Sequence, residues 1–135
     1  MKRFLPASLL LLPLLGGCVA VAVVAAGAAI GIGTYAYVHN ELQREYQCPY
    51  EKAWEAASQA PVEMKLTPQG GDHDFQRGFV DARRADGAPV RITVEKIDDQ
   101  KVRIGVRVGT FECEDNRQAA TAVHERIFVI MGGKP

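Results

Sequence analysis

Between Tyr35 and Met131 the hydrophobic positions change period several times, and each change marks an element. Tyr35-Ala36-Tyr37-Val38 and Leu42-Gln43-Arg44-Glu45-Tyr46 read as two short extended stretches, with Asn40 favouring a turn between them. Pro49 suits the first turn of a helix, where its missing N–H is no loss, and Tyr50, Ala53, Trp54 and Ala57 recur on one helical stripe. Pro61 disfavours helical geometry at Ala60, so the helix is expected to end near Gln59. From Val62 the period becomes two: Val62, Met64 and Leu66 alternate with Glu63 and Lys65, as on a half-buried strand. Pro68 to Asp72 reads as a loop. Phe75 to Arg83 reads as a weak strand, closed by the Asp86-Gly87 turn. Val90, Ile92, Val94 and Ile97 mark the next strand, and Val102, Ile104, Val106 and Val108 mark the clearest one, expected to run to about Phe111. A final helix starts at Cys113 or Asp115, carries Ala119, Ala120, Val123, Ile127, Ile130 and Met131 on one side, and stops at Gly132-Gly133.

The order is hairpin, helix, three-stranded meander, helix. Two amphipathic helices can bury one face of such an antiparallel sheet, so the fold class is α+β, a two-layer sandwich with the other face wet. Composition divides the chain into three parts: residues 1–17, an apolar stretch over 18–33 in which Val19 to Gly33 holds only Val, Ala, Ile and Gly, and an α+β domain over 34–135. Gly27-x-x-x-Gly31 has the spacing at which two helices approach closely in lipid, which would support weak self-association. The plainer alternative is an apolar tether.

The first part has a specific order. Lys2 and Arg3 form a positive start, Phe4 to Leu15 an apolar run, and Leu15-Gly16-Gly17-Cys18 follows, which is the layout of a secretory signal peptide ending at a cysteine. The tetrapeptide resembles the bacterial lipobox, which implies diacylglyceryl transfer to the Cys18 sulfur and cleavage between Gly17 and Cys18. The membrane partner is then reached through lipid. Each buried methylene contributes about 0.8 kcal/mol, and two or more chains make attachment durable. Val19 after the cysteine, in place of Asp, resembles the outer-membrane sorting pattern, which implies the periplasmic face of that membrane.

Charge removes one function class. The chain holds 16 basic and 16 acidic residues, and loss of residues 1–17 takes Lys2 and Arg3 with it, so no basic surplus remains to attract nucleic acid. Cys48 and Cys113 remain once Cys18 carries lipid. An even pair in an oxidising compartment suggests a disulfide, which would stabilise by about 4 kcal/mol if its geometry were unstrained. Two separately buried thiols are the alternative.

Gly33-Thr34-Tyr35-Ala36-Tyr37-Val38, Glu41-Leu42, Tyr46, Pro49, Trp54-Glu55-Ala56, Arg84-Ala85-Asp86-Gly87 and Val108-Gly109-Thr110-Phe111 together resemble a small bacterial lipoprotein family of unknown function. The resemblance covers nearly all of the chain after Cys18 and implies an envelope lipoprotein. Cys48 and Cys113 depart from the family's pattern, so it does not imply their bond.

Reactive constellations are thin. After Gly17 the only serine is Ser58, with no Gly-x-Ser-x-Gly around it, which disfavours serine hydrolase chemistry. Asp72-His73-Asp74 reads as a solvated polar turn rather than a metal site, and no cofactor is expected. His124, beside Glu125, reads as the boundary of the last helix with solvent. Trp54 with Tyr35, Tyr37, Tyr46 and Tyr50 reads as core aromatics. Arg77, Arg83, Arg84, Arg91, Arg103 and Arg107 could line up across the wet face, and Arg91, Arg103 and Arg107 make a candidate surface for an acidic partner, against the plainer reading of a solvated face. The expected function is a non-catalytic, lipid-anchored envelope protein acting by contact. The alternative is a small-ligand binder or enzyme with a cleft between sheet and helices, which convergent titratable groups there would favour.

Overall fold

The computed structural model describes residues 30–134; the leader, Cys18 and Gly27 lie outside them. The chain forms strands β1 (Ile30–Val38) and β2 (Glu41–Gln47), helix α1 (Tyr50–Glu63), strands β3 (Thr67–His73), β4 (Arg77–Arg83), β5 (Pro89–Asp98) and β6 (Lys101–Val108), and helix α2 (Glu114–Ile130). All six strands join one antiparallel sheet in the order β1-β2-β6-β5-β4-β3. The hairpin β1–β2 therefore docks on the last strand of the meander, and both helices cover the same face. This is the two-layer α+β sandwich that the hydrophobic pattern predicts.

The centre of the core is a double row of branched side chains. Val90, Ile92 and Val94 of β5 stand opposite Val108, Val106 and Ile104 of β6, and none is more than 2% exposed. Burying each such side chain contributes about 1.5–3 kcal/mol. Helix α1 turns Ala53, Ala56, Ala57 and Ala60 onto this layer, all buried, and side chains this short let its backbone approach the sheet closely. His39 and Asn40 both adopt left-handed backbone (φ 51° and 63°), the geometry of a two-residue hairpin turn between β1 and β2.

Four boundaries differ from those the sequence predicts, one of them the end of β6 at Val108 rather than near Phe111. Helix α1 does not stop near Gln59 but runs to Glu63 with Pro61 inside it and buried. Because Pro61 lies in the last turn, only the bond to the Ala57 carbonyl is forfeited, and the chain then turns at Lys65 (φ 58°). The Val62-Met64-Leu66 alternation is thus a helix end and a turn, and Val62 is exposed. The expected loop at Pro68–Asp72 belongs to β3, an edge strand exposed at every residue, so no apolar alternation announces it. Backbone pairing needs Gly71, where a Cβ would lie 2.5 Å from the Phe79 carbonyl oxygen. Both outer strands carry irregularities: β1 shifts register between Ile32 and Ala36, and β3 between Pro68 and Gly70.

Gly31, the second glycine of the Gly27-x-x-x-Gly31 spacing, lies in β1 opposite Tyr46. The Arg44 guanidinium occupies the space where its Cβ would be, so this glycine serves packing within the sheet.

The expected Cys48–Cys113 disulfide is absent, and both thiols are free. The topology explains why. Strands β2 and β6 are antiparallel neighbours, so Cys48 just past β2 and Cys113 ahead of α2 emerge at opposite ends of the sheet. Cys48 packs 3.7 Å from the Met131 sulfur just past the far end of α2, a helix of 17 residues and hence about 25 Å long. A disulfide needs the two Cα atoms within about 7 Å. Burial also pushes the Cys48 thiol up to about 11. Brief alkylation of the native protein is therefore expected to modify Cys113 and spare Cys48 until denaturant is added, with thermal stability indifferent to reductant; peptide mass mapping reads the first outcome and would overturn it by finding Cys48 labelled equally fast.

Candidate functional site

The face of the sheet away from the helices is lined by alternate residues of every strand. Across its middle, Glu45 of β2, Arg103 of β6, Glu95 of β5 and Arg77 of β4 are successive cross-strand neighbours. Their charges alternate, and they pair at 3.3 Å (Arg103–Glu45), 3.9 Å (Arg103–Glu95) and 3.5 Å (Arg77–Glu95). Each exposed pair contributes only about 0–1 kcal/mol, but the row has little net charge.

The row at the β1–β2 turn end is different. Arg91 and Arg107 stand directly opposite each other, a like-charge pair that opposes folding unless something neutralises it. Arg91 is held by Asp81 through two hydrogen bonds, 2.7 and 2.8 Å, and lies 4.5 Å above the Phe79 ring. Arg83 donates to the Gly87 carbonyl at 3.0 Å. Arg107 has no ion-pair partner among the described residues. Glu41 does not supply one: its carboxylate lies over Gly105 and accepts from the Gln43 amide at 2.9 Å. Asp81 and the Arg83, Arg91 and Arg107 side chains line a concavity of about 550 Å³. Its floor holds Arg83, Arg91, Arg107 and Asp81, and it reaches from Asn40 in the β1–β2 turn to Gln69 on β3. Three guanidinium groups against one carboxylate leave a local surplus of two positive charges.

Of the three arginines the sequence pattern singles out as a surface, Arg91 and Arg107 thus share this trough, while Arg103 belongs to the neutralised row. Arg83 joins the trough, and Arg84 instead pairs with Asp86 in the turn. Between sheet and helices, where a catalytic or ligand cleft is the alternative expectation, lies an apolar niche of about 220 Å³ lined by Met64, Leu66, Ala119 and Val123. Among the described residues no three His, Cys, Asp or Glu side chains converge as a metal ion would require. His73 of the Asp72-His73-Asp74 segment stacks on Trp54, ring centroids 4.2 Å apart, and Asp74 accepts the backbone N–H groups of Gln76 and Arg77.

Residues 4–128 match the family described as Protein of unknown function (DUF3568). The chain belongs to DUF3568. No curated protein matches it. The resemblance to a family of unknown function drawn from the turn and aromatic residues is therefore right. Among the described residues of this DUF3568 chain, no helix is long and apolar enough to cross a membrane.

The helix-facing side of the DUF3568 sheet holds one polar cluster that the sequence misplaces. His124 is not at a solvent boundary but fully buried. Its Nε2 lies 2.7 Å from the Leu42 carbonyl oxygen, which only accepts, so Nε2 carries the proton; Nδ1, 2.8 Å from the Tyr46 hydroxyl, accepts. Tyr35 meets the imidazole edge-on, and Arg44 lies 4.9 Å over the Tyr35 ring. Burial raises the Tyr46 pKa far above that of an ordinary phenol and keeps it a donor. Burial likewise drives the His124 imidazole down to about 4, against the partial opposition of the Leu42 carbonyl. No local motif signals this cluster, because its partners lie about eighty residues away in the chain, at separations of 78 and 82.

The linkage follows from that displacement. Between pH 6.5 and 4 the unfolded chain binds a proton at His124 that the folded DUF3568 domain refuses, so stability present above about pH 6.5 is lost as pH falls toward 4, by about 3 kcal/mol in all. Urea denaturation across this window is expected to show the slope in the native chain and its loss in His124→Gln. An equal slope in the variant would contradict the assignment.

Proposed function

We propose that this chain is a lipid-anchored envelope protein, held at the periplasmic face of the outer membrane through a diacylglyceryl thioether on Cys18, and that it works by contact rather than catalysis. The observation that carries this reading is the order Lys2-Arg3, the apolar run Phe4 to Leu15, and Leu15-Gly16-Gly17-Cys18. The family match begins at residue 4, so the matched sequence includes Phe4 to Cys18 but not Lys2 and Arg3. The folded part begins by Ile30, and the 12 residue steps from Cys18 allow a reach of at most about 40 Å from the bilayer. The open face of the sheet supplies the contact surface, with Arg91 and Arg107 in its trough.

Metabolic labelling with an alkyne palmitate analogue tests the anchor. Native protein is expected to label and to fractionate with membranes, whereas Cys18→Ser is expected to remain unlabelled and to keep residues 1–17. An unlabelled native protein carrying its leader and a free Cys18 thiol would end the proposal.

A further inference from the structure

Among the described residues Arg107 is a cation of the open face with neither an ion pair nor a side-chain hydrogen bond, and its position says what would match it. The trough runs across the strands: from the β1–β2 turn over β6, β5 and β4 to β3 is four inter-strand spacings, on the order of 20 Å. That length suits an extended chain of about six residues better than a single small ion. A guanidinium presents a planar fork of donors that fits a carboxylate through two parallel hydrogen bonds. Asp81 already shows this mode on Arg91. Amide side chains stand at both ends: Asn40, whose oxygen accepts from Tyr37, keeps its N–H groups to donate, and Gln69, whose nitrogen donates to the Pro68 carbonyl, keeps its oxygen to accept from a peptide backbone. Thr110 belongs to the same lining.

We infer that this trough binds an extended acidic peptide segment of a partner protein, with one partner carboxylate seated on Arg107. The inference rests on the reading of the protein as one that works by contact, and names the partner's chemistry. The extent of the trough favours a peptide over a membrane phosphate, because four inter-strand spacings fit an extended chain rather than a single headgroup. The tether enters the sheet at Ile30, and β1 carries the chain nine residues, about 30 Å, away before the β1–β2 turn where the trough begins. The trough is thus at the opposite end of β1 from Ile30. A bound carboxylate would give Arg107 the kind of counter-charge that Asp81 gives Arg91 across the strand pair.

The test uses the full chain in detergent micelles and a fluorescein-labelled oligoglutamate read by anisotropy. Binding is expected at low salt and is expected to weaken as salt rises. Arg107→Gln should weaken it about tenfold or more, the loss of one two-pronged charged contact. Arg107→Lys, which keeps the charge but loses the fork, should recover only part of that. Arg126→Gln, the same charge change on α2 on the other side of the molecule, should leave binding unchanged. Three results would overturn the inference: no binding of the oligoglutamate, equal losses in Arg107→Gln and Arg126→Gln, or preference for polyphosphate or phosphatidylglycerol vesicles over the peptide. Lipid labelling at Cys18 reads the anchor separately, so failure of one does not imitate failure of the other.

Discussion

The period of two carried by Val90, Ile92 and Val94 on β5 and by Val102, Ile104, Val106 and Val108 on β6 sends the apolar side chains of the two central strands to one side. Everything else in the domain follows from that one-sidedness. Two helices are needed to cover the apolar side, and the residues between, Arg91, Thr93, Arg103 and Arg107, are left facing water on the other. Core and candidate surface are therefore written in the same two strands, on alternate residues.

The N-terminal hairpin is joined to this centre by a different means. Strand β2 pairs with β6, but α2 is fixed to β2 by His124, which bridges the Tyr46 hydroxyl and the Leu42 carbonyl. A buried imidazole with both nitrogens satisfied specifies one orientation of α2, because any slide or rotation would leave a polar atom unpartnered in the core. Tyr35 on β1 closes over the same ring, so the outermost strand is coupled to the helix as well.

How much of this was legible in the sequence depends on which interactions are local. The hairpin, the two central strands and the last helix are visible because each has one buried face and so a periodic pattern. Strand β3 is not, since an edge strand with no buried face has no pattern to show, and Thr67–His73 reads as a turn-rich loop. The end of α1 was misplaced because Pro61 breaks helices in general, yet in a last turn it sacrifices a single bond. The thiol pair was misjudged for a topological reason: two strand-to-helix junctions look alike in sequence, but antiparallel strands send them to opposite ends. On the open face the pattern placed the arginines together, while the division into a neutralised row and an unmatched one depends on carboxylates from β2, β4 and β5 that no local spacing brings together.

The two bulged outer strands have a consequence for how such molecules behave when crowded. An unguarded sheet edge offers a row of free N–H and C=O groups on which a neighbour's strand can template, and tethering at high surface density would multiply such encounters. Here one margin bends at the Gly33 kink and the other lacks an amide hydrogen at Pro68, each beside a lost register. Each irregularity interrupts the regular row of groups on which a neighbouring strand would have to pair.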